Sequence, residues 1–389
     1  FQAEDGIRDF CRSRGLGDGY KRQMLIKGNN LNKSRVAKFI LKKEESSKPE
    51  IANELGLSMP TVLQIVKELT LSGLIAESGK YESTGGRKAS VLSVVPEHRF
   101  SIGIDITANH ISCVVIDLCG KIIHKTRVKS VFEDTQNYFD KAADIMNRII
   151  DESGVDKAAI LGVGVSLPGI VDKSAETLVR SHVLKQEHMS LRYLSQSIGY
   201  PTAYENDANS ALLAEMRYID SDMIYLSLSS SVGGAIYFNG SIYEGHNHRC
   251  AEFGHMIIEP NGRQCYCGKN GCVDAYCSAQ VLLKYADTLE IFYERLEDGD
   301  SEISNVWNSY LEHLAITISN LRMIFDCDIM IGGYVGGYIK SYMAQLSQKT
   351  ARYNKFEKDT MYIKNCTYEK EASAVGAAMY FVDKYFNEL

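Results

Sequence analysis

The residues best suited to chemistry lie close together in the chain: His255, Cys265, Cys267 and Cys272. One imidazole and three thiols are four soft-to-borderline donors, the usual complement of a closed tetrahedral zinc site. Cys267-Gly268 and Gly271-Cys272 bound a tight loop, and glycine lets the backbone turn sharply enough for the sulfurs to converge on one ion. The competing reading is three incidental thiols. With four protein donors there is no open position for a catalytic water, so the Zn2+ expected here is structural.

Such a loop needs a scaffold, and the surrounding sequence reads as an α/β body. Ser101–Ile106 and His110–Asp117 alternate like the two strands of a hairpin, and a third strand follows from Lys121. A helix is expected over Thr135–Ser153, with Phe139, Ala142, Ala143, Ile145, Met146, Ile149 and Ile150 inward. Ala159–Ser166 reads as a buried strand ending at Pro168-Gly169, and Met223–Phe238 as an apolar hairpin around Gly233-Gly234. From about Ser278 the pattern is mainly helical, broken by an apolar strand into Met330-Ile-Gly-Gly333. Strands alternating with helices, and no short-period repeat, predict a body of two lobes.

The N-terminal part has a different texture. Apolar Val36, Ala37, Phe39, Ile40 and Leu41 fall at helical spacing between Asn32 and Lys43. Ser47 is placed to cap a second helix, with Pro49 in its first turn, Glu50 completing a capping box and Gly56 ending it. Ser58 and Pro60 open a third helix, whose Val62, Ile65, Val66 and Leu69 recur at i, i+3, i+4 and i+7 before Gly73 stops it. Two helices joined by a tight glycine turn are helix-turn-helix geometry, the second helix entering the major groove. Its opposite face carries Thr61, Gln64 and Lys67, side chains able to reach a base edge or a phosphate. Leu74–Glu77 and Ala89–Val95 then read as a two-stranded wing with its tip at Thr84-Gly-Gly-Arg-Lys88, where Arg87 and Lys88 are the DNA-facing candidates. The alternative is a small helical bundle for protein contacts.

Composition narrows the classes. A chain of 389 residues is long for one core, and 45% hydrophobic with 24% charged residues is ordinary globular usage. Net charge is −6, yet Met24 to Val95 holds eleven Lys or Arg against seven Asp or Glu, a local balance of +4. That asymmetry suits a nucleic-acid-binding segment on an acidic body. No apolar run approaches the ~20 residues of a membrane span, and no signal-type leader is present, so ten cysteines are expected to stay reduced in the cytoplasm. The first 23 residues match nothing downstream and read as a non-native leader, with Met24 as the expected start. The expected domains are therefore the leader 1–23, a winged helix-turn-helix at 24–96, and a two-lobed sensor at 97–389 with its zinc loop at 255–272.

Ala251-Glu-Phe-Gly-His255 followed by Cys265-Tyr-Cys-Gly-Lys-Asn-Gly-Cys-Val-Asp274 resembles the signature of the ROK family of repressors, open reading frames and sugar kinases. Tyr204-Glu-Asn-Asp-Ala-Asn209 is similar to that family's Asn-Asp sugar motif; taken alone it would read as a strand-to-helix cap. The N-terminal helix-turn-helix with its Gly-Gly-Arg tip resembles the repressor branch. The resemblance implies a two-lobed actin-like, sugar-kinase-like (ribonuclease H-like) fold with a sugar held between the lobes by Asn206, Asp207, Glu252, His255 and Asp274. His255 would then serve twice, one ring nitrogen on zinc and the other donating to a sugar hydroxyl. Asp274 stands where the family usually has Glu, so its reach is altered.

Three functions remain distinct. The family's kinases carry glycine-rich phosphate loops, whereas this chain has Asp105-Ile-Thr-Ala-Asn-His110 and Ser229-Ser230-Ser231 at those places. Backbone N–H groups approach phosphate closely only where side chains are absent. The expected function is thus a DNA-binding repressor of carbohydrate genes controlled by a sugar, without catalysis. The alternatives are an ATP-dependent sugar kinase and a repressor controlled by a protein partner. The expected partners are double-stranded operator DNA, a small sugar effector and a second copy of the chain, as a homodimer or homotetramer, with no membrane.

Overall fold

The computed structural model describes residues 16–80, 90–216, 219 and 221–389. The chain divides into two compact units, one of Phe1–Phe100, Asp117–Lys121 and Phe381–Leu389, the other of Ser101–Ile116 and Ile122–Tyr380. Among the described residues no helix is long and apolar enough to cross a membrane.

The first unit opens with α1 (Leu16–Lys43), which starts well before the expected Asn32 and buries Val36, Ala37 and Ile40. The helices α2 (Lys48–Leu55) and α3 (Met59–Leu71) follow. Ser47 caps α2 by accepting the Glu50 N–H at 3.3 Å. The reciprocal half of the box does not form, because the Glu50 carboxylate accepts from Ser46 Oγ at 3.3 Å. Gly56 takes the left-handed conformation that ends α2 (φ 63°, ψ 33°), a region that glycine enters without a Cβ clash. Ser58 caps α3 through the Thr61 N–H at 3.4 Å, and Val62, Ile65, Val66 and Leu69 face inward as their spacing predicts. The strands β1 (Ile75–Lys80) and β2 (Ser90–Val94) pair antiparallel, Ile75 opposite Val94. Ser46 bridges the edge of β2 with two backbone hydrogen bonds to Leu92, at 3.0 and 2.7 Å. This region is consistent with a helix-turn-helix. Residues 81–89, including Arg87 and Lys88, lie outside the described residues.

The second unit is built on two five-stranded sheets. The first takes β3 (Phe100–Ile106), β4 (His110–Asp117), β5 (Ile122–Lys129), β6 (Ile160–Leu167) and β10 (Thr202–Asn206), in spatial order β10-β6-β3-β4-β5. The second takes β11 (Met223–Leu228), β12 (Val232–Phe238), β13 (Ser241–Ile242), β14 (Asp328–Gly332) and β15 (Ile363–Asn365), in order β13-β12-β11-β14-β15. Numbered by their own succession, the strands of both sheets run 3-2-1-4-5. In each, an antiparallel hairpin edge joins a parallel half. The two lobes are therefore one architecture used twice, although the sequence shows no repeat.

Helix α4 (Gln136–Ser153), capped by Thr135, buries the apolar residues assigned to it from spacing. The hairpin β11–β12 turns at Ser229–Ser231, not at Gly233-Gly234, which sit inside β12. The reason for the glycine is tertiary: a Cβ on Gly234 would meet the Phe253 ring at 2.2 Å and the Ala251 carbonyl at 2.6 Å. A small antiparallel sheet of β7 (Ile170–Asp172), β8 (Thr177–Ser181) and β9 (Gln186–Ser190) had no counterpart in the sequence reading. A large apolar core backs the second sheet, with Phe292, Trp307, Tyr310 and Leu314 among its buried members.

Candidate ligand cleft and metal centre

The four metal donors expected from the sequence converge. Ligand atoms of His255, Cys265, Cys267 and Cys272 all lie within 4.8 Å of one another. A tetrahedral ion with ~2.3 Å bonds to sulfur holds two sulfurs ~3.8 Å apart; the Cys267 and Cys272 sulfurs are 3.7 Å apart, and Cys265 Sγ is 3.8 Å from His255 Nδ1. The donor set and its spacing thus fit a four-coordinate metal ion. The loop reaches this shape through glycine: Gly271 has φ 81°, and a Cβ there would meet the Glu259 carbonyl at 1.8 Å. Lys269 Nζ donates to the His255 carbonyl at 2.8 Å, and Cys265 N to the Lys269 carbonyl at 2.8 Å, which closes the loop on itself.

Beside this centre a cleft of about 660 Å³ opens between the two lobes of the second unit, a size suited to a small ligand. Asn206, Asp207, Glu252 and His255 all line it. Asn206 ends β10 and caps α5 (Asp207–Glu215): its side-chain carbonyl accepts from Ala208 N at 2.9 Å and Asn209 N at 3.1 Å, and its amide donates to the Gly169 carbonyl at 3.0 Å. The cap reading of this motif is therefore realised, and the same cap points Asp207 into the cleft. Asp207 Oδ1 accepts from Ala208 N at 2.9 Å. Desolvation by the surrounding walls, then the nearby Asp105 charge, pushes the Asp207 carboxyl up to about 7. Burial likewise raises Asp105 to about 6, against the Ser166 hydroxyl that donates to it at 3.0 Å. Glu252 is raised by burial, with His182 opposing.

Asp274 is not brought to the cleft. It is 6% exposed, and its Oδ2 accepts the Val232 N–H at 2.6 Å, so the shorter carboxylate is spent on holding the start of β12. The second ring nitrogen of His255 is 3.3 Å from the Tyr266 hydroxyl. Of the DNA-facing candidates, Gln64 and Lys67 are exposed on α3, Gln64 donating to Glu68 at 3.1 Å. Thr61 is half-buried and its hydroxyl lies 2.8 Å from Ser58 Oγ within the helix cap.

Several cleft residues carried no signal in the sequence. Lys173, beside β7, bridges Glu205 at 2.6 Å and Glu244 at 2.5 Å, and Glu244 also meets His248 at 3.0 Å. Arg127 donates to the Tyr334 hydroxyl at 3.1 Å with its guanidinium 5.0 Å from that ring. Most of these pairs join residues far apart in the chain, so no local pattern announces them. At the places compared with phosphate loops, Thr107 N donates to the His110 carbonyl at 2.9 Å and His110 N to Thr107 Oγ1 at 3.1 Å. Ser229 N donates to the Ser231 carbonyl at 3.1 Å.

Two sheets of one repeated topology, a ligand cleft between them and, at its rim, a loop presenting one histidine and three cysteines define a sugar-kinase-like α/β body. The profile of the ROK family matches residues 101–384, and the chain belongs to that family. The xylose repressor of Bacillus spizizenii is 27% identical over 311 residues, covering 77% of this chain and 81% of that protein. The DNA-binding transcriptional dual regulator NagC of Escherichia coli is 27% identical over 330 residues, covering 78% and 80%. A ROK family transcriptional regulator described as a homologue of the E. coli MLC protein superposes with a TM-score of 0.71 at 20% identity, over 92% of this chain and 97% of that one. A ROK family glucokinase from Streptomyces griseus, solved with glucose and AMPPNP, gives a TM-score of 0.63 at 24% identity, over 72% and 98%. The likeness to these solved structures concerns the fold.

Proposed function

We propose that this chain is a sugar-responsive transcriptional repressor. Its first unit would bind operator DNA as a winged helix-turn-helix at 24–96, through Thr61, Gln64 and Lys67 with Arg87 and Lys88 of the wing. Its body would sense a sugar in the interlobe cleft through Asn206, Asp207, Glu252 and His255, and would hold Zn2+ at His255, Cys265, Cys267 and Cys272. The ion, when bound, supplies a structural crosslink of the 255–272 loop. The observation that carries this reading is one chain joining a helix-turn-helix-like unit to a cleft floored by Asp207 and Glu252, in a family whose relatives above are named as a repressor and a DNA-binding regulator. A sugar that prefers the closed lobes shifts the population toward them by its differential affinity. In a homodimer that shift would alter operator binding, because half-sites ~34 Å apart must be met together. It would act in the cytoplasm, beside its operator DNA.

The second reading is a sugar kinase. Asp207, raised to about 7 on the cleft floor, is suited to take a proton from a hydroxyl near neutral pH. Against it, both turns lack glycine, so every backbone N–H there sits beside a side chain, and those of Thr107, His110 and Ser229 are donated within their own turns. Calorimetric titration with D-xylose, D-glucose and N-acetyl-D-glucosamine, beside a coupled ATP phosphotransfer assay, separates the readings. Sugar binding without turnover, lost in Asp207→Ala, is expected; steady turnover would replace the repressor reading with the kinase.

A further inference from the structure

The metal loop places one aromatic residue that neither the sequence reading nor the family signature assigns to the ligand. Tyr266 lies between two of the metal donors, Cys265 and Cys267, so its backbone is fixed by the loop closure described above. It is 56% exposed, far more than a core aromatic, and it lines the cleft. Its hydroxyl is 3.3 Å from His255 Nε2, and its ring stands edge-on to the imidazole, centroids 5.3 Å apart at 73°. From the opposite lobe, His182 beside β8 approaches the same ring, centroids 6.2 Å apart at 57°. Glu252 and Asp207 supply acceptors along the same cleft.

This arrangement sets an exposed aromatic ring and two carboxylates along one cleft. A sugar ring has hydroxyls around its rim and C–H groups on its faces. Carboxylates satisfy the hydroxyls, whereas the C–H face needs a flat, weakly negative surface, which an aromatic ring presents. The ring packs edge-on against a metal donor and yet remains 56% exposed where it lines the cleft. We propose that Tyr266 is the platform on which the sugar's C–H face rests, and that the metal loop acts on the ligand by fixing this ring. The inference rests on the sugar reading of the cleft and names the residue that sets affinity within it.

The test is calorimetric titration of the full chain with D-xylose, D-glucose and N-acetyl-D-glucosamine, with zinc per chain counted by atomic absorption. Tyr266→Leu and Tyr266→Ser remove the ring, and Tyr266→Phe and Tyr266→Trp keep one. Whichever ring-less variant retains its zinc should bind the preferred sugar about tenfold or more weakly, while Phe and Trp stay within about threefold of the native chain. A zinc-loaded ring-less variant that binds as tightly as the native chain overturns the proposal and leaves the sugar reading standing. So does Trp failing as badly as Leu. If neither ring-less variant holds zinc, the ring-bearing pair decides: Phe and Trp both failing tenfold with zinc in place overturns it, and both binding within threefold supports it. A native chain that takes up none of the three sugars removes the sugar reading, and this inference with it.

Discussion

At Asp207 a single carboxyl combines a hydrogen bond from a helix-start N–H, a place in the cleft lining and a displaced proton affinity. Its raised value carries a sign for stability. Between its ordinary 3.8 and about 7 the folded chain keeps a proton that the unfolded chain has released. The folded state then binds more protons, so stability falls as pH rises through that window and levels off above it. Asp207→Asn removes the liability: the variant should nearly match the native chain near pH 4 and exceed it by about 4 kcal/mol at pH 8. Chemical denaturation at the two pH values measures this, and an equal difference at both contradicts it. The metal centre makes a separate prediction. Cys272→Ser breaks the pair of sulfurs 3.7 Å apart and should lose stoichiometric zinc, with a melting temperature lower by about 5 °C or more; retained zinc in atomic absorption would show that three donors suffice. At this scale the sequence was informative where chemistry is local. His255 and the three cysteines declare themselves by type and spacing, and they converge. Asp274 came only through resemblance, and its carboxylate accepts the Val232 N–H and does not line the cleft.

Elements were legible in proportion to how locally they are determined. Ser47, Pro49, Gly56, Ser58 and Pro60 mark the ends of α2 and α3 because caps act within one turn. The β11–β12 turn was misplaced because Gly233-Gly234 look like turn residues, whereas Gly234 is required by the Phe253 ring from the following loop. The β7–β8–β9 sheet escaped notice because its strands are three to five residues long and mixed in polarity, giving no clear period. Yet this sheet brings Lys173 and His182 to the cleft. Helix α3 carries a prediction of its own. Lys67 is exposed on the face away from the buried stripe, and on the DNA-binding reading it meets a phosphate. Lys67→Ala should weaken operator binding across sequences alike and reduce the slope of log affinity against log salt by about 1. An unchanged slope in filter binding or anisotropy takes Lys67 off the interface.

For the whole molecule, the duplicated 3-2-1-4-5 sheets could not be read from one sequence, since the two lobes share topology without recognisable repeats. The assignment of Phe381–Leu389 to the first unit was equally hidden: Ser34 Oγ donates to the Phe386 carbonyl at 2.6 Å, and His98 Nε2 lies 3.1 Å from the Tyr385 hydroxyl. These contacts tie Ser34 and His98 of the first unit to the last turns of the chain, across 352 and 287 residues. The function proposed for the molecule needs both units, a DNA reader and a sugar cleft, to answer to each other. The measurement that tests this most directly is fluorescence anisotropy of labelled DNA from the gene's own upstream region, titrated with the full chain with and without D-xylose, D-glucose and N-acetyl-D-glucosamine. The account predicts tight, sequence-selective binding at moderate salt, where non-specific contacts fade, and an affinity changed by one sugar in the native chain. Selective binding that no sugar alters would detach the cleft from regulation, and no selective binding at all would contradict the repressor reading.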